Sequence, residues 1–378
     1  MCDNINMKKI GIFGGTFNPV HIEHVALAKS AILELGLDKL IVMPTYLSPH
    51  KENSPAPAQD RINMLKIAFS GVQKVEISDF EILKQGKSYT YQTVEHFSQD
   101  KDVKLYFIVG GDMLVNFKTW RYPERILKCC TLAVFSRENF FVDYEKEREY
   151  FRKTFCSNFV QLNYTGQDYS STKIRTYAKL GLSLDGLTPN GVEEYIRDNK
   201  VYAPDKYEQF ILKTLPEKRL KHTADVVVCA LKKAKDLLLD EDRVRIATLL
   251  HDCAKYIDYK TVEGFSLDED IPEPVIHAFL GAYIAKKYLL VDDEIEDAIR
   301  YHTSGKANMT LFSKLVFVAD MLEEGRNYDG VDKLRELYEK EDFETCFIEC
   351  LKEEFLHLMN KKQRIYIETI NAHDYYIK

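Results

Sequence analysis

Short apolar runs rich in β-branched and aromatic residues recur from Lys8 to about Asn163, and then the pattern ends. The runs are Lys9–Phe13, Leu40–Met43, Val75–Ile77, Leu105–Val109, Leu132–Phe135 and Phe159–Leu162. Stretches between them, such as Val25–Leu35 and Arg61–Phe69, carry helical spacing. Strand and helix in alternation predict a parallel sheet covered on both faces. Two more helices are expected over Lys173–Leu180 and Gly191–Asp198. Past Tyr202-Ala203-Pro204-Asp205 the strand runs stop, and from Tyr207 to the end apolar residues fall at three- and four-residue spacing. The expected fold is an α/β domain over residues 1–203 and an all-α domain over 204–378, with Pro204 and Pro216 marking the junction.

At 378 residues the chain is long enough for two such domains, each with its own core. A formal charge of −7 argues against a dedicated nucleic-acid binder, which would carry a basic stripe. No apolar run approaches the ~20 residues that span a bilayer. Met1–Met7 lacks the basic and apolar regions of a signal peptide. The eight cysteines show no CxxC spacing, Cys129 and Cys130 being adjacent, and read as reduced, mostly buried thiols. These features place the protein in the cytoplasm, with no membrane and no nucleic acid as partner. They leave its oligomeric state open, a homo-oligomer included.

The first strand runs into Gly14-Gly15-Thr16-Phe17-Asn18-Pro19, with His21 and His24 at the head of the next helix. Glycines there let backbone N–H groups approach a phosphate, and the helix N-terminus adds partial positive charge. Histidines three apart share a helix face, where imidazole donors can stabilise charge growing on phosphorus and on departing pyrophosphate. No serine or cysteine is poised as a nucleophile, so direct in-line transfer fits better than a covalent intermediate.

Gly14 to His21 resembles the nucleotidyltransferase signature GGxFxPxHxGH. Further pieces resemble its nicotinate-mononucleotide adenylyltransferase branch, in order: Pro44-Thr45, Pro49-His50-Lys51, Asp60-Arg61, Ser88-Tyr89-Thr90, Val109-Gly110-Gly111-Asp112, Trp120, Arg137, Ser170–Arg175 and Val192–Tyr202. The resemblance implies a Rossmann-like nucleotidyltransferase domain that joins ATP, with Mg²⁺, to nicotinate mononucleotide. It makes His21 and His24 catalytic at the ATP phosphates. Gly14, Gly15, Thr16, Phe17, Asp112, Ser171, Thr172 and Arg175 would bind ATP, and Lys51, Thr90, Trp120 and Arg137 would bind nicotinate mononucleotide. Two positions depart from the pattern: Glu23 replaces a glycine between the histidines, and Ser48 stands where proline is frequent.

In the helical half, His222, His251-Asp252, His277, His302 and Asp320 fall in or near different expected helices: Glu217–Lys235, Val244–Tyr256, Pro274–Lys287, Asp293–His302 and Leu311–Leu322. One ligand per helix is how a bundle builds an interior metal site. Four imidazoles and two carboxylates suffice for two metal ions with one carboxylate bridging, and suit iron, manganese or zinc. Adjacent helical side chains point about 100° apart, so His251 and Asp252 share a site only if several helices surround it. His96, His357 and His373 read as ordinary packing or surface residues.

Arg219…His222, His251–Lys255, His277, His302–Gly305, Val318–Arg326 and Leu334-Arg335 resemble the HD superfamily, and within it the YqeK-type hydrolases. That resemblance implies iron-dependent symmetrical cleavage of diadenosine tetraphosphate, a dinucleoside polyphosphate, into two ADP. Lys255 would then act in catalysis and Arg326 would contact phosphate. Three alternatives stay open: another acceptor for the first domain, such as pantetheine phosphate; dNTPs or cyclic dinucleotides for the second; or a metal-stabilised HD module without catalysis.

Overall fold

The computed structural model describes residues 7–47, 56–138, 140–167, 169–267, 271–340, 342–362 and 364–377. The chain divides into two compact units, Met1–Arg175 with Ser183–Tyr202, and Thr176–Leu182 with Ala203–Lys378.

The first unit is built on six strands: Lys8–Gly15 (β1), Lys39–Pro44 (β2), Val75–Ile77 (β3), Val103–Gly110 (β4), Thr131–Arg137 (β5) and Val160–Gly166 (β6). All neighbours pair in parallel, in the order β3-β2-β1-β4-β5-β6. Leu40, Val42 and Met43 are fully buried, as a strand covered on both faces requires. The helices are Ile22–Leu35 (α1), Ala58–Ala68 (α2), Phe80–Lys84 (α3), Thr90–Phe97 (α4), Gly111–Val115 (α5), Pro123–Cys129 (α6), Tyr144–Phe155 (α7), Ser171–Lys179 (α8, counted with this unit as far as Arg175) and Val192–Asp198 (α9). Ile12, Leu132 and Val134 from the sheet pack with Phe117 and Phe151 in one core. Successive strands step outward from β1 to β3, and then the order reverses through β4 to β6. The gap between β1 and β4 is therefore the topological switch point, where the carboxyl ends of the strands leave a crevice.

The glycine turn after β1 is held from below. Arg61, almost fully buried, donates from Nη1 to the carbonyls of Thr16 (2.9 Å) and Thr45 (2.7 Å). Tyr202 Oη donates to Asn18 Oδ1 at 2.8 Å. These bonds satisfy buried and half-buried groups that an irregular turn would otherwise leave unpaired.

In the second unit the chain is helical: Lys206–Thr214 (α10), Glu217–Ala234 (α11), Glu241–Leu250 (α12), Glu273–Tyr288 (α13), Asp293–Tyr301 (α14), Leu311–Leu322 (α15), Val331–Lys340 (α16), Phe343–Asn360 (α17) and Ile367–Tyr376 (α18). Asp205, Asp240, Asp292 and Thr310 cap four of these helices by accepting from backbone N–H groups of the first turn. Helices α11 to α15 pack on one another around the polar cluster described below. The expected helix through Tyr256 is shorter: α12 stops at Leu250, and 251–256 form turns. The reason is local. His251 Nδ1 bonds back to the Thr248 carbonyl at 2.6 Å, satisfying an acceptor at the helix end. His302 ends α14 in the same way, with Nδ1 on the Ile299 carbonyl at 2.8 Å. Among the described residues no helix is long and apolar enough to cross a membrane.

Replacing Arg61 with Met keeps much of the packing and strands two part-buried carbonyls, so it should destabilise the first unit by roughly 2 kcal/mol. The chain's single tryptophan, Trp120, lies in this unit and reports its urea transition. A shift below about 0.5 kcal/mol, the scale of an ordinary surface change, would contradict the role given to Arg61.

Candidate active sites

The first site lies at the switch point. His21 is the N-cap of α1, and its ring stacks on that of His24 with centroids 3.6 Å apart. The His21 backbone N–H donates to His24 Nδ1 at 3.1 Å. An amide N–H can only donate, so His24 Nδ1 carries no proton and Nε2–H is left as the ring's donor. Burial, and then the Arg137 guanidinium, lower the His21 pKa to about 3. Burial, His21 and Arg137 hold His24 well below its usual range. The pair is neutral at neutral pH and offers hydrogen bonds to a phosphate rather than full charge.

Helix α8 reaches the same turn. Ser171 Oγ donates to the Pro19 carbonyl (3.2 Å), and Arg175 donates to the Asn18 carbonyl (2.9 Å) and to Thr172 Oγ1 (3.1 Å). The structure thus brings Ser171, Thr172 and Arg175 to the segment that follows Gly14, Gly15, Thr16 and Phe17. At the carboxyl ends of β4 and β5, Asp112 and Arg137 form an ion pair at 3.6 Å. Gly110 makes this approach feasible, since a Cβ there would stand 2.4 Å from Asp112 Oδ1. Asp112 is not a helix cap; Gly110 is, and Asp112 Oδ1 is buried without a hydrogen-bond partner. Such an atom suits a donor on a ligand.

The remaining residues are less tightly gathered. Trp120 is half-buried against Phe107 and Phe117, so packing accounts for at least part of its ring. Thr90 opens α4, and the adjoining Ser88 is tied to the loop after β2 by bonds with Tyr46 and Leu47. Among the described residues no hydrogen bond or ring contact joins Thr90 to Trp120. Lys51 and Ser48 lie outside the described residues. The Glu23 carboxylate is turned towards β6, accepting from Tyr164 Oη at 2.6 Å and Gln167 N at 2.9 Å. It is anchored in the scaffold.

The second site gathers all six expected ligands. Asp252 stands between two groups of imidazoles. Its Oδ2 faces His251 Nε2 (3.5 Å) and His222 Nε2 (3.8 Å), and its Oδ1 faces His277 Nε2 (3.0 Å) and His302 Nε2 (3.7 Å). Asp320 Oδ1 lies 3.0 Å from His222 Nε2 and 3.8 Å from His251 Nε2. Ligand atoms of His222, His251 and Asp320 all lie within 4.8 Å of one another, as do those of His251, Asp252 and His302.

Carbonyl oxygens only accept, so His251 and His302 carry their protons on Nδ1 and turn Nε2 lone pairs into the cluster. His222 Nδ1 likewise donates to Glu323 Oε1 at 3.1 Å. Asp252 Oδ1 is buried and, though close to His277, has no partner of hydrogen-bond geometry. Burial lowers the His251 pKa and brings His277 to about 4. Burial opposes ionisation of Asp252, but His251 and its neighbours hold the carboxyl well below its usual range. His222 overcomes the same burial penalty and is raised by Asp320 and Glu323. Lone pairs, ionised carboxylates and an orphaned oxygen on one interior point are the donor set of a metal centre, and the residues fit one.

Lys255 Nζ lies 3.5 Å from Asp252 Oδ1 and 3.1 Å from His277 Nε2. Arg326 is paired with Asp320 Oδ1 at 2.5 Å. Three neighbours had no role from sequence. Arg219 donates to Asp252 Oδ2 at 2.9 Å, and Glu323 backs His222. Arg335 donates to the carbonyls of Leu322, Glu323 and Arg326, pinning the loop that follows Asp320. Arg219 and Glu323 sit one turn from His222 and Asp320, and that spacing was the available signal.

The pH dependence of the first unit follows from His21. Its folded pKa of about 3 lies below the unfolded value of 6.5. In that window the unfolded chain binds the proton and the folded chain does not, so stability falls as pH drops below 6.5. The slope should reach up to about 1.4 kcal/mol per pH unit for one proton. Urea midpoints read at Trp120 between about pH 6.5 and 5 should show a shallower dependence in His21→Gln. An unchanged slope would contradict the buried neutral imidazole.

A family model described as cytidylyltransferase-like matches residues 12–177, and one described as HD domain matches residues 219–325. A Clostridium acetobutylicum protein named "Probable nicotinate-nucleotide adenylyltransferase" is 42% identical over 200 residues, 52% of this chain and 100% of that protein. A Mycoplasma genitalium protein named "Probable nicotinate-nucleotide adenylyltransferase/Ap4A hydrolase" is 30% identical over 332 residues, 85% of this chain and 89% of its own length. A Clostridium acetobutylicum crystal structure, described as a predicted HD superfamily hydrolase involved in NAD metabolism, shows 31% identity over 46% of this chain and 96% of its own, at a TM-score of 0.42. With a whole adenylyltransferase matched in its first half and the two-part Mycoplasma protein matched across most of its length, the chain belongs to the nicotinate-nucleotide adenylyltransferase family, in the form that carries an HD domain.

Proposed function

We propose that residues 1–203 transfer the adenylyl group of ATP to nicotinate mononucleotide, and that residues 204–378 hydrolyse dinucleoside polyphosphates, both in the cytoplasm. The first reaction gives deamido-NAD and pyrophosphate. The second splits diadenosine tetraphosphate and water symmetrically into two ADP. The observation that carries the first reading is the neutral His21–His24 pair at the switch point, with Ser171 and Arg175 anchored to the same turn. The second rests on the Asp252 carboxylate with imidazoles facing each of its oxygens.

In the transferase, a phosphate oxygen of nicotinate mononucleotide attacks the α-phosphorus of ATP, and the bond to pyrophosphate breaks in line. His24 Nε2–H and the His21 ring stabilise charge on the phosphate chain. Ser171, Thr172 and Arg175 hold the triphosphate, whose Mg²⁺ enters with ATP, and Gly14 to Phe17 line its approach. Asp112 Oδ1 accepts from the nucleotide. Lys51, Thr90, Trp120 and Arg137 hold the acceptor nucleotide.

In the hydrolase, His222, His251, Asp252, His277, His302 and Asp320 would hold two metal ions, iron first, with manganese and zinc as alternatives. Ions bound there would supply an acidified water and neutralise phosphoryl charge. Lys255 and Arg326 orient the polyphosphate chain.

His21→Ala should lower dinucleotide synthesis by roughly 10²-fold, the loss of one transition-state donor, while diadenosine tetraphosphate cleavage persists. His251→Ala should do the reverse, removing metal and hydrolysis and sparing synthesis. Product assays with nicotinate mononucleotide, nicotinamide mononucleotide and pantetheine phosphate as competing acceptors read the first activity. No dinucleotide from nicotinate mononucleotide at any concentration would end the first reading; unchanged metal content in His251→Ala would end the second.

A further inference from the structure

We infer that the two metal positions of the HD cluster are unequal: a tight one at His222, His251 and Asp320, and a loose one at His277, His302 and the facing oxygen of Asp252. This rests on the two-metal reading above and goes beyond it by assigning an order of filling.

The tight half is rich in fixed negative charge. Asp320 Oδ1 is 3.0 Å from His222 Nε2. Behind the same ring, the nearly buried Glu323 accepts from Nδ1–H at 3.1 Å, and its other oxygen accepts from Gly325 N at 2.5 Å. A carboxylate behind a ligating imidazole fixes its tautomer and raises its basicity, an effect worth about 10- to 100-fold in metal affinity. Two guanidiniums stand against this charge, Arg326 on Asp320 Oδ1 at 2.5 Å and Arg219 on Asp252 Oδ2 at 2.9 Å. Both contacts are to carboxylate oxygens, which keep further lone pairs, and not to the ring nitrogens of His222 or His251.

The loose half is built the other way. The carboxylate oxygen that faces it is Asp252 Oδ1, from the shared residue. His302 is backed by a neutral carbonyl, that of Ile299. Both of its inward lone pairs already have donors within the chain. Lys255 Nζ lies 3.1 Å from His277 Nε2 and 3.5 Å from Asp252 Oδ1, and the Thr303 hydroxyl lies 3.0 Å from His302 Nε2. An ion entering here displaces an ammonium and a hydroxyl and keeps a cation beside it. One entering the tight half meets neither cost at its imidazoles. The imidazoles of the loose half have donors without metal and only Asp252 Oδ1 lacks a hydrogen bond there, with the Lys255 ammonium 3.5 Å away, so a one-metal protein is a stable state, and the second ion comes most readily when phosphate oxygens draw Lys255 away.

The test is a titration of the metal-free full-length protein with Mn²⁺, following free Mn²⁺ by electron paramagnetic resonance and heat by calorimetry. Two classes of one site each are expected, with dissociation constants at least ~10-fold apart. Glu323→Gln should weaken the tight class by about 10-fold or more. His277→Ala should delete the loose class and leave the tight one. Lys255→Met, at a partly exposed position, should tighten the loose class without moving the first. Two equal sites, loss of the tight class in His277→Ala, or an unmoved tight class in Glu323→Gln would each overturn the inference while leaving the two-metal reading in place. A wild-type protein that takes up no Mn²⁺, iron or zinc would sink both.

Discussion

The hydrogen bond on the rear nitrogen of His24, His251 and His302 decides what the front nitrogen can do, and both sites depend on it. In the first unit a backbone N–H gives its proton towards His24 Nδ1, which leaves Nε2–H as a donor. In the second unit backbone carbonyls take the Nδ1 protons of His251 and His302, which leaves Nε2 as a lone pair. One residue type therefore offers opposite chemistries, a donor suited to a phosphate oxygen in one place and a lone pair suited to a cation in the other. Burial reinforces this by lowering the pKa of His24 and of His251, since a charged imidazole in a dry site is penalised.

The backbone serves this arrangement in each unit. At the switch point, the end of β1 turns into α1 with His21 as the cap, so the cap's own backbone N–H lies where His24 can accept from it. In the helical unit, α12 and α14 end where the imidazole replaces an N–H that the helix would otherwise supply to a carbonyl. Ending α12 at Leu250 also removes the difficulty of two adjacent cluster residues on one helix. Asp252 lies in the turn beyond it, free to face four rings from between them.

Much of this was legible in the sequence. All six strands follow from β-rich runs, because a parallel sheet covered on both faces needs nearly continuous apolar segments. The six cluster residues were legible because polar groups inside apolar helical stretches are costly unless they meet one another. Short helices such as α3, α5 and α6 were not, since five to seven residues carry too little periodicity to stand out. Nor was the orientation of Glu23, which depends on Tyr164 and Gln167 more than a hundred residues away. Glu323 and Arg335 were quoted only as parts of a motif. Their roles, backing His222 and pinning a loop, are set by distances that spacing alone does not carry.

Neutron diffraction from deuterated crystals reads ring protonation directly and tests the rear-nitrogen rule on both sites at once. The account predicts a deuteron on Nε2 and none on Nδ1 of His24, and a deuteron on Nδ1 with a bare Nε2 in His251 and His302. A deuteron on His24 Nδ1, or on the inward Nε2 of His251 or His302, would contradict it.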